Sequence, residues 1–300
     1  MGDRWSLLIL RDAFLGRTRF EQFRRHIGIS KATLTRRLDA LINEGVLYKQ
    51  PGSASSTRFE YRLTEKGAGL FSSSLLAWQW ELDWCAAERD GAKSRLPYEL
   101  FHRRCGQELY PLAVCRHCRR PVQVDDVELP EQALSPQSQL DEIRSLNRLR
   151  RVRSATKSGT EDLMLANISD LIGDRWTLLL LISAFFGLRR YDQFLKQLSI
   201  ASNILTARLN FLVDVEVFER RTYQENPPRS DYLLSAKGKS LFPIVMAMRQ
   251  WVIDDLDASH SATELIHTAC GKNLEIDVQC EKCCEIPARA DVQFIEADTP

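Results

Sequence analysis

"GDRWSLLIL" (residues 2–10) and "GDRWTLLLL" (residues 173–181) are nearly the same phrase, 171 positions apart. The register holds well beyond the phrase. Gln22-Phe23 meets Gln193-Phe194, Leu34-Thr35 meets Leu205-Thr206, and Arg37-Leu38 meets Arg208-Leu209. Arg58 meets Arg229, Lys66-Gly67 meets Lys237-Gly238, and Trp80 meets Trp251. One offset held through turns and loops means one fold built twice. Past the tryptophans the offset becomes 165, and "HRRCGQELYPLAVCRHC" (102–118) returns as "HTACGKNLEIDVQCEKC" (267–283). Each unit is thus a larger module followed by a small His/Cys module.

One unit reads as follows. "RWSLLILRDAF" is apolar on more than one face, as suits a helix packed deep in a small domain. Gly16 punctuates, and Phe20, Phe23 and Ile27 then recur at helical spacing. "GIS" makes a turn, with Ser30 as N-cap of "KATLTRRLDALINEG". Leu34, Leu38, Leu41 and Ile42 form that helix's inward stripe, and Gly45 stops it. "VLYKQ" and "RFEYRLT" alternate as strands around the turn-rich "PGSASST". A last helix carries Trp78 and Trp80. The expected class is mainly α (α+β), with two winged helix-turn-helix domains, each followed by a small zinc-ribbon-like module. The partition is 1–90 for the first winged helix, 98–123 for its His/Cys module and 124–160 for a linker. The second winged helix spans 161–258 and its His/Cys module 263–295. Within the linker, "LDEIRSLNRLRRVR" predicts a short basic helix.

These elements resemble the HxlR-type winged helix-turn-helix transcriptional regulators. The "GDRW-[ST]-LL" start, the short second helix, the "GIS…LTRRL" third helix and the "YRLTEKG" wing end follow in order. The second copy's "PPRSDYLLSAKG" wing is the closer match. The resemblance implies a DNA-binding regulator that works as a dimer, here as a homodimer or an internal pseudo-dimer. It also raises thiol sensing through a cysteine ahead of the first helix. That place falls near Leu163, where there is no cysteine.

Charge fits a polyanion partner. The net charge is only +1, yet residues 2–71 hold 13 Lys/Arg against 7 Asp/Glu. Residues 173–242 hold 10 against 7. A recognition helix offers its N-terminal side chains to base edges while basic residues grip phosphates. The candidates in copy one are Ser30, Lys31, Thr33, Arg36, Arg37 and, in the wing, Arg58. In copy two they are Ser202, Asn203, Thr206, Arg208 and Arg229, with Ala207 replacing an arginine. The alternative for Arg37 and Arg208 is a salt bridge on the helix face. Trp5 and Trp176 are expected in the core, and Asp3-Arg4 at a helix start.

Both tails read His-x2-Cys-Gly-x8-Cys-x2-Cys: His102, Cys105, Cys115, Cys118, and His267, Cys270, Cys280, Cys283. Two such pairs supply the four tetrahedral ligands of a structural zinc site, so two zinc ions per chain are expected, one in each tail. The alternative is a reduced Cys-rich turn without metal. The glycine after the first cysteine suits a positive-φ turn. Three motif cysteines per unit suit disulfides poorly, and without an export signal the thiols stay reduced in the cytoplasm. His117 and Cys284 rank below the repeated four as ligands, and Cys85 is read as packing.

No apolar run is long enough for a membrane span. No P-loop, nucleophile elbow, GxGxxG or HExxH phrase is present, so an enzyme is not expected. Copy two has an apolar lead-in, Leu163 to Ile172, that copy one lacks. Its role falls to an upstream segment resembling "LMLANISDLI", which is the favoured expectation, to residues 163–172 themselves, or to a second chain. The alternative function is a scaffolding regulator in which only copy one binds DNA.

Overall fold

The computed structural model describes residues 3–52, 59–85, 98–129, 165–255 and 264–296. The first unit opens with α1 (Arg4–Phe14), capped by Asp3, whose carboxylate accepts from Ser6 N. Leu8, Ile9, Leu10 and Phe14 are buried. In α2 (Phe20–Ile27), Phe23 and Ile27 face the core. Gly28, at φ +70°, turns the chain. Ser30 then caps α3 (Lys31–Asn43) by accepting from Thr33 N at 3.2 Å. Leu34, Leu38 and Leu41 are its buried stripe, while Ile42 is half-buried. Strands β1 (Leu47–Pro51) and β2 (Phe59–Leu63) form the antiparallel wing, with Leu47 opposite Leu63. The short α4 (Glu65–Gly69) holds Gly67 so close to β1 that a Cβ would lie 2.2 Å from Val46 O. That contact explains the glycine of the Lys-Gly pair. Helix α5 (Phe71–Cys85) carries the buried Trp78, Trp80 and Cys85.

The second unit adds a leading helix, α6 (Ala166–Ile172). It then repeats the plan in α7 (Arg175–Phe185), α8 (Tyr191–Leu198) and α9 (Ser202–Asp214). The wing strands are β7 (Phe218–Gln224) and β8 (Arg229–Leu234), followed by α10 (Ala236–Lys239) and α11 (Phe242–Asp255).

The halves pack about a pseudo-twofold axis. Helix α5 lies on α11. Trp80 Nε1 donates to Ser240 Oγ at 2.9 Å and faces Lys237 O at 3.4 Å, while Trp251 Nε1 donates to Lys66 O at 2.8 Å. Since Trp80 repeats as Trp251 and Lys66 as Lys237, these contacts are reciprocal, as in an isologous dimer interface. Helix α6 crosses to the other half and packs on α1 and α5. Arg4 pairs with Asp170 at 2.5 Å. The buried Glu81 carboxylate accepts from Asn167 N at 3.2 Å and Ile168 N at 3.1 Å, an anion on first-turn N–H groups that have no partner within the helix. Residues 166–172 therefore cover α1 from within the chain.

The tails also cross over. Those strands are β3 (Tyr98–His102), β4 (Gln107–Glu108), β5 (Pro111–Cys115) and β6 (Val127–Glu128). The second tail supplies β9 (Ile266–His267), β10 (Lys272–Asn273), β11 (Ile276–Cys280) and β12 (Val292–Glu296). Each tail sheet contains strands from both tails: β12-β3-β4, β10-β9-β6 and β11-β5. In β5-β11, Ala113 faces its own repeat counterpart, Val278, so the ladder is centred on the pseudo-twofold. The expectation of two separate metal modules is corrected here. Strands of two to five residues cannot bury a core alone, and each tail completes the other.

Trp5 and Trp176 are half-buried rather than core. They pack against the core's edge, and the guanidinium groups of Arg4 and Arg175 lie over their rings, 5.9 and 5.2 Å from the centroids. The expected linker helix, Arg58 and Leu163 lie outside the described residues. Among the described residues no helix is long and apolar enough to cross a membrane.

Candidate metal centre and DNA interface

The eight repeated ligands converge, but not as two self-contained tails. One cluster is His102, Cys105, Cys280 and Cys283, and the other is Cys115, Cys118, His267 and Cys270. Each takes its His-x2-Cys pair from one tail and its Cys-x2-Cys pair from the other. Within either cluster the ligand atoms lie within 4.8 Å of one another. His102 Nδ1 lies 3.3 Å from Cys105 Sγ and 3.4 Å from Cys283 Sγ. His267 Nδ1 lies 3.4 Å from Cys270 Sγ and 3.5 Å from Cys118 Sγ, and Cys115 Sγ is 3.9 Å from Cys270 Sγ.

These spacings can be tested against a metal. A tetrahedron with metal–sulfur bonds of about 2.3 Å and metal–nitrogen bonds of about 2.05 Å has S···S edges of about 3.8 Å and N···S edges of about 3.6 Å. The residues fit. Both imidazoles are fully buried, their Nε2 atoms have no hydrogen-bond partner among the described residues, and Nδ1 makes the close contacts with the thiols.

The turns carry the same logic. Gly106 and Gly271 sit at φ +70° and +66°, as the sequence predicts, with Arg119 and Cys284 at +59° and +61° after the second pairs. A backbone hydrogen bond from Arg120 lowers the Cys118 thiol below its ordinary range, which favours the thiolate a metal needs. Burial pushes the Cys115 thiol up. His117 instead approaches Glu275 at 3.8 Å, and Cys284 is exposed; neither joins a cluster.

The DNA candidates divide in two. Ser30, Lys31 and Arg36 are exposed, with Thr33 half-buried, on or next to the N-terminal half of α3. Lys31 and Arg36 make no ion pair among the described residues. Arg37 points the other way, its Nε 3.1 Å from Asp3 Oδ1, with only 17% of its side chain exposed. Arg208 repeats this with Asp174 at 2.9 Å and 21% exposed. The salt-bridge alternative is thus the geometry found. Each arginine ties its third helix to the aspartate capping the first helix, joining two parts of the repeated phrase.

In copy two, Ser202 and Asn203 are exposed. Thr206 Oγ1 is engaged by Ser202 O at 2.9 Å and Tyr191 Oη at 3.2 Å. Arg229 is exposed at the wing. Sequence reasoning missed the groove of about 630 Å³ beside the first wing, whose lining includes Arg19, Arg25, Phe59 and Tyr61. Lys49 stands 4.1 Å above the Phe59 ring. Only the folded chain brings the α2 start to the wing.

A duplicated winged helix with a basic third helix and paired thiol-imidazole clusters defines a helix-turn-helix regulator. The HxlR-like helix-turn-helix family model matches residues 1–89 and 171–260, and the chain belongs to that family. An HTH-type transcriptional regulator of Mycobacterium tuberculosis, Rv3095, is 39% identical over 127 residues, covering 42% of this chain and 77% of its own. YdeP of Bacillus subtilis, an HTH-type transcriptional regulator, is 32% identical over 104 residues, covering 32% and 81%. The reduced form of the transcriptional regulator YodB from B. subtilis superposes with a TM-score of 0.28 at 27% identity, over 29% of this chain and 87% of that one.

Proposed function

We propose that this chain is a transcriptional regulator that reads duplex DNA sequence-specifically, with two zinc ions per chain as structural cofactors. It acts in the cytoplasm, and its two winged helices, residues 1–90 and 161–258, stand in for the two subunits of a dimer. The observation that carries the reading is the outer face of α3, where Lys31 and Arg36 are exposed and make no ion pair among the described residues, behind a buried leucine stripe. Unpaired cations at the start of a helix-turn-helix third helix are placed to meet phosphate and guanine. Ser30, Thr33, Arg58 and Arg229 complete the contact set. Arg37 and Arg208 leave it because their charges are spent on Asp3 and Asp174.

When bound, zinc supplies four fixed bonds per cluster and no open position for catalysis. Around it, this chain's cysteines provide thiolates, and the two imidazoles donate through Nδ1.

A second reading has its own observation. The outer face of α9 offers Ser202, Asn203 and Ala207 where α3 offers cations, so copy two serves mainly as scaffold. Binding of a selected duplex at several salt concentrations separates the two. If both copies bind, replacing Ser202 and Asn203 with alanine weakens binding as Lys31→Ala does; if only copy one binds, the copy-two changes are silent. Loss of Lys31 as a phosphate contact lowers the magnitude of the salt slope by about 1. No binding to any duplex refutes both.

A further inference from the structure

We infer that the two metal sites are coupled, so that zinc enters and leaves them as a pair. This inference rests on the zinc reading above and adds how the sites behave together.

Both sites need the same two segments of chain brought together. Each cluster has two ligands near residues 102–118 and two near 267–283. The sites also share a strand pair. Cys115 ends β5 and Cys280 ends β11, and these strands form one antiparallel ladder from Ile276↔Cys115 to Cys280↔Pro111. The strand leading into one site is therefore the hydrogen-bonding partner of the strand leading into the other. The histidines are tied in the same way. His102 pairs with Val292 across β3-β12, and His267 pairs with Val127 across β9-β6.

The first ion thus fixes the register of both tails. Its binding carries the cost of ordering strands of two to five residues, and the second ion meets ligands already positioned. Ordering shared in this way is positive cooperativity without any contact between the ions. A coupling of about tenfold lies within the usual range for linked sites.

Native mass spectrometry of the full chain, titrated with a zinc chelator, measures the coupling directly. Independent equal sites would put half of the molecules in the one-zinc form when half the metal is gone. Tenfold coupling reduces that share to about a quarter. A one-zinc share of half or more overturns the coupling, and a chain that never carries zinc overturns the zinc reading beneath it.

Paired substitutions check the ligand sets. Cys105→Ser with Cys283→Ser breaks one composite site, leaving one zinc held about tenfold more weakly. Cys105→Ser with Cys118→Ser breaks both and leaves none. If the second pair retains a zinc ion, each tail holds its own metal and the coupling route is wrong. Circular dichroism establishes that the winged helices stay folded; if a variant does not fold, the wild-type titration decides alone.

Discussion

Arg36 and Arg37 are neighbours in sequence with opposite assignments, and replacing each with alanine separates reading DNA from holding the fold. Arg37 Nε sits 3.1 Å from Asp3 Oδ1, with the two side chains 17% and 12% exposed. At an effective dielectric near 20, a pair at that distance is worth about 5 kcal/mol before desolvation. Burial returns much of that gain, so the net loss in Arg37→Ala lies between an exposed pair, about 0.5 kcal/mol, and a buried broken one, about 3 kcal/mol. Asp3 also caps α1 and retains the Ser6 bonds, which places the expected loss near 1–2 kcal/mol. For a cooperative unit of this size that lowers the melting midpoint by roughly 1.5–3 °C. Arg36→Ala leaves the stability within about 0.5 kcal/mol of wild type, because its side chain is exposed and makes no ion pair among the described residues. In a fluorescence-anisotropy titration it weakens specific DNA binding by about 1–3 kcal/mol. Thermal melts and titrations on both variants form the assay. The reasoning is refuted if Arg37→Ala melts like wild type yet loses DNA, or if Arg36→Ala lowers the melt while binding DNA normally.

Ala201 holds the N-cap position of α9 at φ −66°, ψ 138°, almost the angles of Ser30, but has no side chain to accept the helix N–H groups. Ala201→Ser should raise stability by about 0.5–1 kcal/mol, read in chemical denaturation. Asp12 is fully buried between Arg11 at 2.5 Å and His26 at 2.9 Å; Asp12→Ala should cost about 3 kcal/mol, visible as a shifted denaturation midpoint. Glu81→Gln removes the buried carboxylate facing the start of α6, and hydrogen exchange of residues 166–172 should quicken by about tenfold, a loss near 1.4 kcal/mol. Gly67→Ala, with its Cβ 2.2 Å from Val46 O, should destabilise the wing by more than about 1 kcal/mol in the same denaturation assay.

Much of this was legible in the chain. The repeated phrase gave the duplication, the spacing of Leu34, Leu38 and Leu41 gave the third helix and its buried face, and Gly106 and Gly271 gave the positive-φ turns. All eight clustered ligands were named from their spacing. Their grouping was not visible, because spacing reports what one tail can offer and says nothing of which tail closes the site. The crossing of strands β5 and β11 depends on a pseudo-twofold axis created by α5 and α11, a tertiary fact. Arg37 shows a related limit. The sequence offered it as an outward DNA contact with a salt bridge as the alternative, and only the capping aspartate of α1, over thirty residues away, shows where its charge is spent. Trp5 was expected in the core, but it is half-buried beside Arg4, whose guanidinium lies over the indole and also pairs with Asp170 in the other half.

The central claim is that this fold reads a DNA sequence, and selection of binding sites from a random duplex library tests it most directly. The purified zinc-loaded chain should enrich a defined site and bind it at least about 1,000-fold more tightly than unrelated duplex at physiological salt. Arg36→Ala should erode that ratio. Equal affinity for every duplex, falling only with salt, would contradict the claim and leave a winged-helix shape with a basic helix face but no sequence to read.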